Sequence, residues 1–391
     1  MYMKGKTIVH IGDHDLKSDN RVRFQMSCID LSNNSYAYCR ECYSQNSMMD
    51  KYYFSFLLFL ILTSLKGIFK IKKLYGINSK HRLKLKFLNY NTLLTYKYFF
   101  KNTTQILNLI VGRRPDLIIA NDLSCGLIAA YCYKKFNIPY YYDSHEFQIY
   151  RNYKNSLVKC LLVAGLEDTV VKNASKYSTV SEKIRRYYKY LYNKKGEIVV
   201  NNFYPSRDFT RVNTYHSEKK YNIAYFGYIG PGRGLKYLKY FQQADFIDKI
   251  FIYSDLNYNT SLRSEVSLLS KTIFNPYPQQ LNSIQIENAL GFCMIEPMVL
   301  SYKFALPGKF FQYLLCGFPI IALEGTYLAE IVSKFKVGIV ITKKEIRKGC
   351  TNYIDQIEKI MESLPLAAQY CLKYFSNYNY DQFFSRLERD I

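Results

Sequence analysis

Apolar runs of strand length alternate with helix-length amphipathic segments through most of the chain, which is the pattern of a parallel sheet with crossover helices. In the first half, runs at 7–12, 35–40, 117–121, 139–143, 176–180 and 197–201 predict strands, with helices at 123–136 and 182–192 between them. The stretch 201–220 follows neither period, is polar and holds Pro205, so it reads as a linker. A second alternating series follows at 223–227, 249–254, 290–295, 319–323 and 337–341. Two doubly wound α/β domains, 1–203 and 221–370, are expected on either side of a linker at 204–220. Such sheets bind ligands outside the carboxyl ends of their strands, here in a crevice between the halves. The tail 371–391 is amphipathic through Phe375, Tyr378, Phe383, Phe384 and Leu387.

One segment departs from the alternation. Residues 52–65 (YYFSFLLFLILTSL) are nearly all apolar, with Lys51 before and Lys66 after. Fourteen helical residues would reach about 21 Å, short of the ~30 Å hydrocarbon core of a bilayer. Charge sharpens the picture. The chain carries 54 Lys+Arg against 31 Asp+Glu, a formal net charge of +23. Between Lys51 and Pro115 there are thirteen Lys/Arg and no acidic residue, so more than half of the excess sits in one sixth of the chain. An apolar helix beside a basic, aromatic-rich stretch is the pattern of an interfacial membrane anchor, and residues 51–101 are expected to face an anionic membrane surface. A buried helix beside a solvated basic loop is the plainer alternative, although such a loop would normally carry some acidic residues.

With 391 residues, 49% hydrophobic and 22% charged, the chain suits two globular domains and excludes a disordered one. No run reaches ~18 apolar residues, and Met1-Tyr2-Met3-Lys4 leads directly into the first strand with no leader pattern, so a cytoplasmic protein is expected. Ten scattered cysteines fit reduced core thiols better than a disulfide framework.

Three segments carry candidate chemistry. The first is Gly227-Tyr-Ile-Gly230-Pro231-Gly232-Arg233-Gly234-Leu235, a glycine-rich turn after a strand and before a helix expected at 235–243. Backbone N–H groups at a helix start, with Arg233 added, would make an anion site, although a tight connection alone would look the same. The spacing fits neither a Walker loop nor GxGxxG after the first strand. The second is Pro307-Gly308-Lys309 opening a short helix that ends at Gly317. A cation in a first helical turn opposes the helix dipole, and a residue placed against the local rule suggests function. The third is Asp143-Ser144-His145-Glu146, three ionisable side chains just past the carboxyl end of a strand, where α/β sheets place catalytic groups.

Taken in order, SDNRVR, PDLIIAND, IPYYYDSHE, TVSEKIRRYY, GYIGPGRGL and ALPGKFFQYLLCGFPII resemble the glycosyltransferase group 1 family (family 4, GT-B fold) over nearly the whole chain. The resemblance implies two Rossmann-like domains facing across a cleft, with the C-terminal helix packing back on the first. It also implies retaining transfer of a sugar from a nucleotide-diphosphate donor, with no cofactor and no metal. The acceptor class it implies is a lipid-linked glycan in bacterial surface polysaccharide synthesis, at the inner face of the cell membrane. Residue by residue, Arg233 takes the place of the diphosphate-binding lysine and Gly232 and Gly234 shape its turn. His145 falls where a histidine lies close to the transferred sugar, with Asp143 and Glu146 beside it. Gly12 opens the donor-facing loop of the first strand, which carries Arg21 and Arg23. The family's paired glutamates are Phe304 and Gln312 here, and its Gly-Arg is Gly227-Tyr228. Gln312, with Tyr313 beside it, is expected at the donor, accepting from the ribose through its carbonyl, while Lys309 replaces the missing phosphate cation.

Weaker signals are Asp13-His14-Asp15, a DxD string in the first-strand loop, and Cys39/Cys42, a CxxC with no second pair at zinc spacing. Two other function classes fit part of the pattern: a catalytically impaired GT-B scaffold, suggested by Gln312 and Tyr228, and a nucleic-acid binder, suggested by charge and aromatics. No nucleic-acid motif accompanies the basic residues, so no nucleic-acid partner is expected.

Overall fold

The structure, a computed structural model, describes residues 3, 5–12, 20–29, 34–38, 53–70, 73, 103, 105–151, 157–200, 220–254, 260–277, 284–348 and 353–388. The expected linker at 204–220 lies outside the described residues except for Lys220, as does the basic stretch beyond Lys73 up to 101. The chain divides into two units, Met1–Asn202 with Tyr378–Ile391, and Phe203–Asn377.

In the first unit, six parallel strands, β1 (Ile8–Gly12), β2 (Asn34–Tyr38), β3 (Leu117–Asn121), β4 (Tyr140–Ser144), β5 (Lys176–Thr179) and β6 (Glu197–Ile198), lie in the order β2-β1-β3-β4-β5-β6. β1, β3 and β4 are buried along their whole length. A strand covered on both faces has no use for polar alternation, which is why these run as continuous Ile, Val, Leu and Tyr. The order turns between β1 and β3, so the carboxyl ends of these two strands border the crevice of the sheet.

Helix Tyr380–Glu388 closes the base of this unit. Tyr380, Phe383, Phe384 and Leu387 are buried with Ile8, Leu117, Ile119 and Tyr141, and the rings of Phe383 and Tyr141 lie 4.3 Å apart. The division falls at Asn377 and Tyr378 rather than at 370. Cys371, Leu372 and Phe375 continue the buried stripe of Ile360, Met361, Leu364 and Ala368 along helix Ile354–Ser376, so they belong to the preceding helix.

Helix Tyr53–Leu65 and the 3-10 turn Lys66–Lys70 rest on helix Leu157–Asn173. The approach is close enough that a Cβ on Gly67 would lie 1.6 Å from the Leu161 carbonyl oxygen, so only glycine serves there. Among the described residues no helix is long and apolar enough to cross a membrane. The seven described cysteines are buried and form no disulfide.

The second unit holds β7 (Tyr221–Phe226), β8 (Ile247–Tyr253), β9 (Thr272–Asn275), β10 (Ala289–Phe292), β11 (Ile320–Leu323) and β12 (Gly338–Ile341), all parallel, in the order β12-β11-β10-β7-β8-β9. Read from β9, this is the dinucleotide-fold order 3-2-1-4-5-6, whose direction reverses between β7 and β10. β9 is an addition to the predicted strands.

Candidate active site

In the second unit the residues after β7 and β10 converge. The chain leaves β7 through Gly227, Gly232 and Gly234, all at positive φ. At Gly234 (φ +76°) a Cβ would also stand 2.2 Å from the Met294 carbonyl oxygen, so the turn closes onto the segment after β10 only because that residue has no side chain. Glu296 N–H donates to the Gly232 carbonyl at 2.9 Å, and the buried Glu296 carboxylate pairs with Lys236, which pins the turn from the other side.

The turn presents Arg233, half-buried, with its guanidinium carbon 5.4 Å from the centre of the Tyr302 ring. Lys309 enters from the start of helix Gly308–Leu315. Its Nζ has no surface in contact with water and no hydrogen-bond partner, and stands 4.2 Å from the centre of the Tyr225 ring. Burial, reinforced by the charge of Arg233, lowers the Lys309 pKa to about 8. Cys293 lies beside both cations, but burial pushes its thiol up to about 11, so it gives no countercharge at neutral pH. Two cations without a carboxylate between them are costly unless an anion joins them.

The helix expected at 235–243 is a 3-10 turn, Leu235–Tyr237, followed by only Leu238–Phe241. Four α-helical residues sum too few peptide dipoles to hold an anion, so the expected helix-start contribution is absent and the side chains carry the charge. Gln312 donates from Nε2 to the Tyr277 hydroxyl at 2.7 Å, which orients its amide. Tyr313 is fully buried. Its hydroxyl accepts from Phe226 N–H at 2.8 Å and donates to the Phe292 carbonyl at 3.1 Å, so it clamps the ends of β7 and β10 together.

In the first unit a polar cluster forms past β3 and β4. The His145 ring, only 8% exposed as a side chain, places Nδ1 3.4 Å from Asp122 Oδ2, and Nε2 3.2 Å from Asn121 Oδ1 and 3.4 Å from Asp143 Oδ2. Both ring nitrogens thus face oxygen acceptors, which fixes the ring plane. Asp122 adopts φ +64°, in the left-handed region that is uncommon for a non-glycine residue. Its carboxylate is saturated by the His145 N–H at 3.2 Å, Gln148 Nε2 at 2.7 Å and Arg151 Nη1 at 3.4 Å, which is what holds the backbone there. Asp143 is wholly buried and accepts from Ser178 Oγ at 2.6 Å, from the Tyr380 hydroxyl and from Gln25 Nε2. It supports His145 from beneath rather than facing solvent. Glu146 pairs with Arg151 Nε at 3.0 Å. Gly12 ends β1 next to this cluster, since Asn121 Nδ2 donates to the Ile11 carbonyl.

Arg21 and Arg23 lie on helix Asn20–Ser27, but their side chains fall outside the described residues, as do Asp13, His14, Asp15, Cys39 and Cys42. Asn121, Asp122, Gln148 and Arg151 were missed in the sequence. The signal for the first two was present: a polar pair closing an otherwise apolar strand, the same rule that singled out His145. Among the described residues no three His, Cys, Asp or Glu side chains gather as metal ligands would.

Behind this cluster, Glu167 is fully buried and accepts from the hydroxyls of Tyr142 at 3.0 Å, Tyr192 at 2.7 Å and Tyr188. Burial raises its carboxyl to about 7, against the opposing effect of the three hydroxyl donors. Tyr188 also meets Ser144 Oγ at 2.7 Å, which ties the network to the strand end carrying His145.

No protein-family model and no curated protein sequence matches the chain. Solved structures match it in fold. The HepE protein of Anabaena, in complex with UDP, gives a TM-score of 0.61 at 12% identity, covering 98% of this chain and 99% of its own. The apo form of the lipopolysaccharide outer core galactosyltransferase WaaB gives 0.55 at 14% identity, covering 97% and 99%. Sucrose-phosphate synthase from Thermosynechococcus elongatus gives 0.56 at 14% identity, covering 79% and 82%. The chain therefore has the GT-B fold of two Rossmann-like, parallel-sheet units.

Proposed function

We propose that the protein is a retaining glycosyltransferase whose second unit binds a nucleotide-diphosphate sugar at the ends of β7 and β10. The observation that carries this reading is the pair Arg233 and Lys309: two neighbouring cations at the switch point of a Rossmann-like sheet, one with its ammonium sealed from water and unpartnered. A diphosphate supplies the countercharge they lack, and no metal is needed for that. Gln312, its amide nitrogen already engaged by Tyr277, turns a carbonyl acceptor toward ribose hydroxyls.

In the reaction the bond from the anomeric carbon to the β-phosphate oxygen breaks and its electron pair leaves with the diphosphate. An acceptor hydroxyl attacks on the same face and its proton passes to the departing phosphate oxygen, so no protein nucleophile takes part. Arg233 and Lys309 meet the charge that grows on the leaving group, and so act more on the transition state than on the ground state. His145, its ring nitrogens held by Asp122, Asn121 and Asp143, forms a rigid polar edge at the strand ends of the first unit. Membership of the family 4 group is part of this proposal, and so is a lipid-linked glycan acceptor in surface polysaccharide synthesis. The latter draws support from the likeness to a lipopolysaccharide galactosyltransferase.

The test is a melting screen with UDP-, GDP-, ADP- and CMP-sugars, followed by donor turnover. A donor at a hundredfold excess over its Kd adds about 2.7 kcal/mol of stability, and Arg233→Ala should lower turnover about 10²–10³-fold. No shift with any donor, or full turnover in Arg233→Ala, would reject the reading. Donor binding without transfer or hydrolysis would favour the impaired scaffold that Tyr228 and Gln312 suggest.

A further inference from the structure

Helix Tyr53–Leu65 buries one face and leaves the other bare. Phe56 and Leu60 are almost completely buried, whereas Leu58, Ile61, Leu62 and Leu65 keep 47–55% of their surface and Phe69 keeps 87%. Steps of three and four residues place Leu58, Ile61, Leu62 and Leu65 on one stripe of the helix, and Phe69 stands exposed on the 3-10 turn that follows. Thirteen residues make a helix of about 20 Å, suited to lying along a bilayer rather than crossing it.

At the end of the stripe, Phe69 and Lys66 form part of the wall of a cavity of about 400 Å³. Lys70, Lys73, Lys134 and Lys172 also line it, with Asp168 as its one acidic side chain. Asp168 is occupied by Lys70 at 2.7 Å and Lys172 at 3.0 Å. Lys73 donates to the Tyr190 carbonyl at 2.8 Å, and Lys134 stands over the Phe59 ring at 5.4 Å. Lys66, Lys73 and Lys134 therefore have no carboxylate partner among the described residues. Partial desolvation of its ammonium, with the charge of Lys66 beside it, holds the otherwise exposed Lys134 below the usual lysine range. Uncompensated ammonium groups around one cavity ask for an anion, and the stripe that runs into it asks for an apolar phase.

We infer that the cavity and the stripe together form a seat for an anionic bilayer. A lipid phosphate enters between Lys66, Lys73 and Lys134, and Leu58, Ile61, Leu62, Leu65 and Phe69 rest at the acyl boundary. The seat lies wholly in the first unit and does not depend on the nucleotide-sugar reading of the second.

The experiment is co-sedimentation of the full chain with vesicles of phosphatidylcholine alone or containing phosphatidylglycerol. Capture is expected only with phosphatidylglycerol, and should be lost in about 0.5 M salt, where screening shortens to a few ångströms. Each lysine at such a surface contributes about a fivefold factor. Lys66→Gln with Lys134→Gln should therefore lower the partition coefficient about 25-fold, and Leu62→Ser with Phe69→Ser should abolish capture. These four side chains are exposed, so unchanged melting curves are expected and separate lost binding from lost fold. Equal capture by both vesicle types, or capture unaffected by the lysine pair, would overturn the inference. So would binding of glycerol phosphate without vesicle capture, which would mark a site for a soluble phosphate, or stronger retention on DNA than on vesicles at matched salt.

Discussion

Replacing Lys309 with methionine separates stability from function within one side chain. The ammonium is buried, lacks a hydrogen-bond acceptor and feels Arg233, so its pKa falls from 10.5 to about 8. At about 1.4 kcal/mol per unit, holding the proton at pH 7 costs the folded second unit roughly 3 kcal/mol relative to an exposed lysine. Contact with the Tyr225 ring returns about 1–2 kcal/mol of that. Lys309→Met keeps the packing on Tyr225 and removes the charge, so a net gain of about 1–2 kcal/mol is expected at pH 7. For a unit of this size that is a rise in melting temperature of about 2–8 °C. The sign fixes the pH dependence. A lysine whose folded pKa lies below its unfolded value opposes folding at low pH, and the penalty fades as pH rises from about 8 to 10.5. The advantage of the methionine variant should close over that window. The same variant should bind the sugar nucleotide at least tenfold more weakly, and the wild type should lose donor affinity as pH climbs past about 8. Differential scanning fluorimetry at pH 7 and 10, with calorimetric titration of the donor, reads both. A variant that melts lower at both pH values and binds donor as well as the wild type would refute the assignment of Lys309 as an unpaired cation awaiting an anion.

Three further outcomes follow from packing and charge. Gly234→Ala puts a methyl group against the Met294 carbonyl at a positive φ and should cost about 2 kcal/mol or more by chemical denaturation, together with donor affinity. Glu167→Gln should flatten a pH slope in the first unit. With the carboxyl raised to about 7, its contribution is complete below about 4.5 and lost as pH rises through about 7, a change of about 2–3 kcal/mol visible in denaturant midpoints at pH 5 and 8. Phe383→Ala, at a fully buried ring against Tyr141, should cost the first unit about 3–5 kcal/mol in urea.

The strands that carry the fold were legible because they are buried on both faces. The run at 117–121 coincides with β3, and the edges of the other central strands shift by one to three residues. β9 was not legible: Thr272-Ile-Phe-Asn is short and only partly buried at the sheet edge, so no apolar run marks it. Helix 182–192 was predicted to its ends, with Ser181 accepting from Ile184 N–H as its cap. The segment after Gly234 was misread because Leu235, Leu238 and Phe241 have helical spacing, yet the chain turns toward β8 before a second turn can form. Arg233 and Lys309 in the second unit, and His145 in the first, could be singled out by local rules alone. Their partners could not. Asp122 reaches His145 across 23 residues, Tyr380 reaches Asp143 across 237, and neither pairing exists until the sheet order is known.

The first unit is also sewn shut by the far end of the polypeptide. Met3 N–H donates to Glu388 at 2.7 Å, and the aromatic residues of the last helix plug the hydrophobic floor under β1, β3 and β4. During synthesis on the ribosome, this half must wait, its floor open, until some 175 intervening residues of the other half have been made. The lobe translated first is thus completed only after the other has been made, and a chain cut just before Tyr380 would injure the first lobe rather than the second.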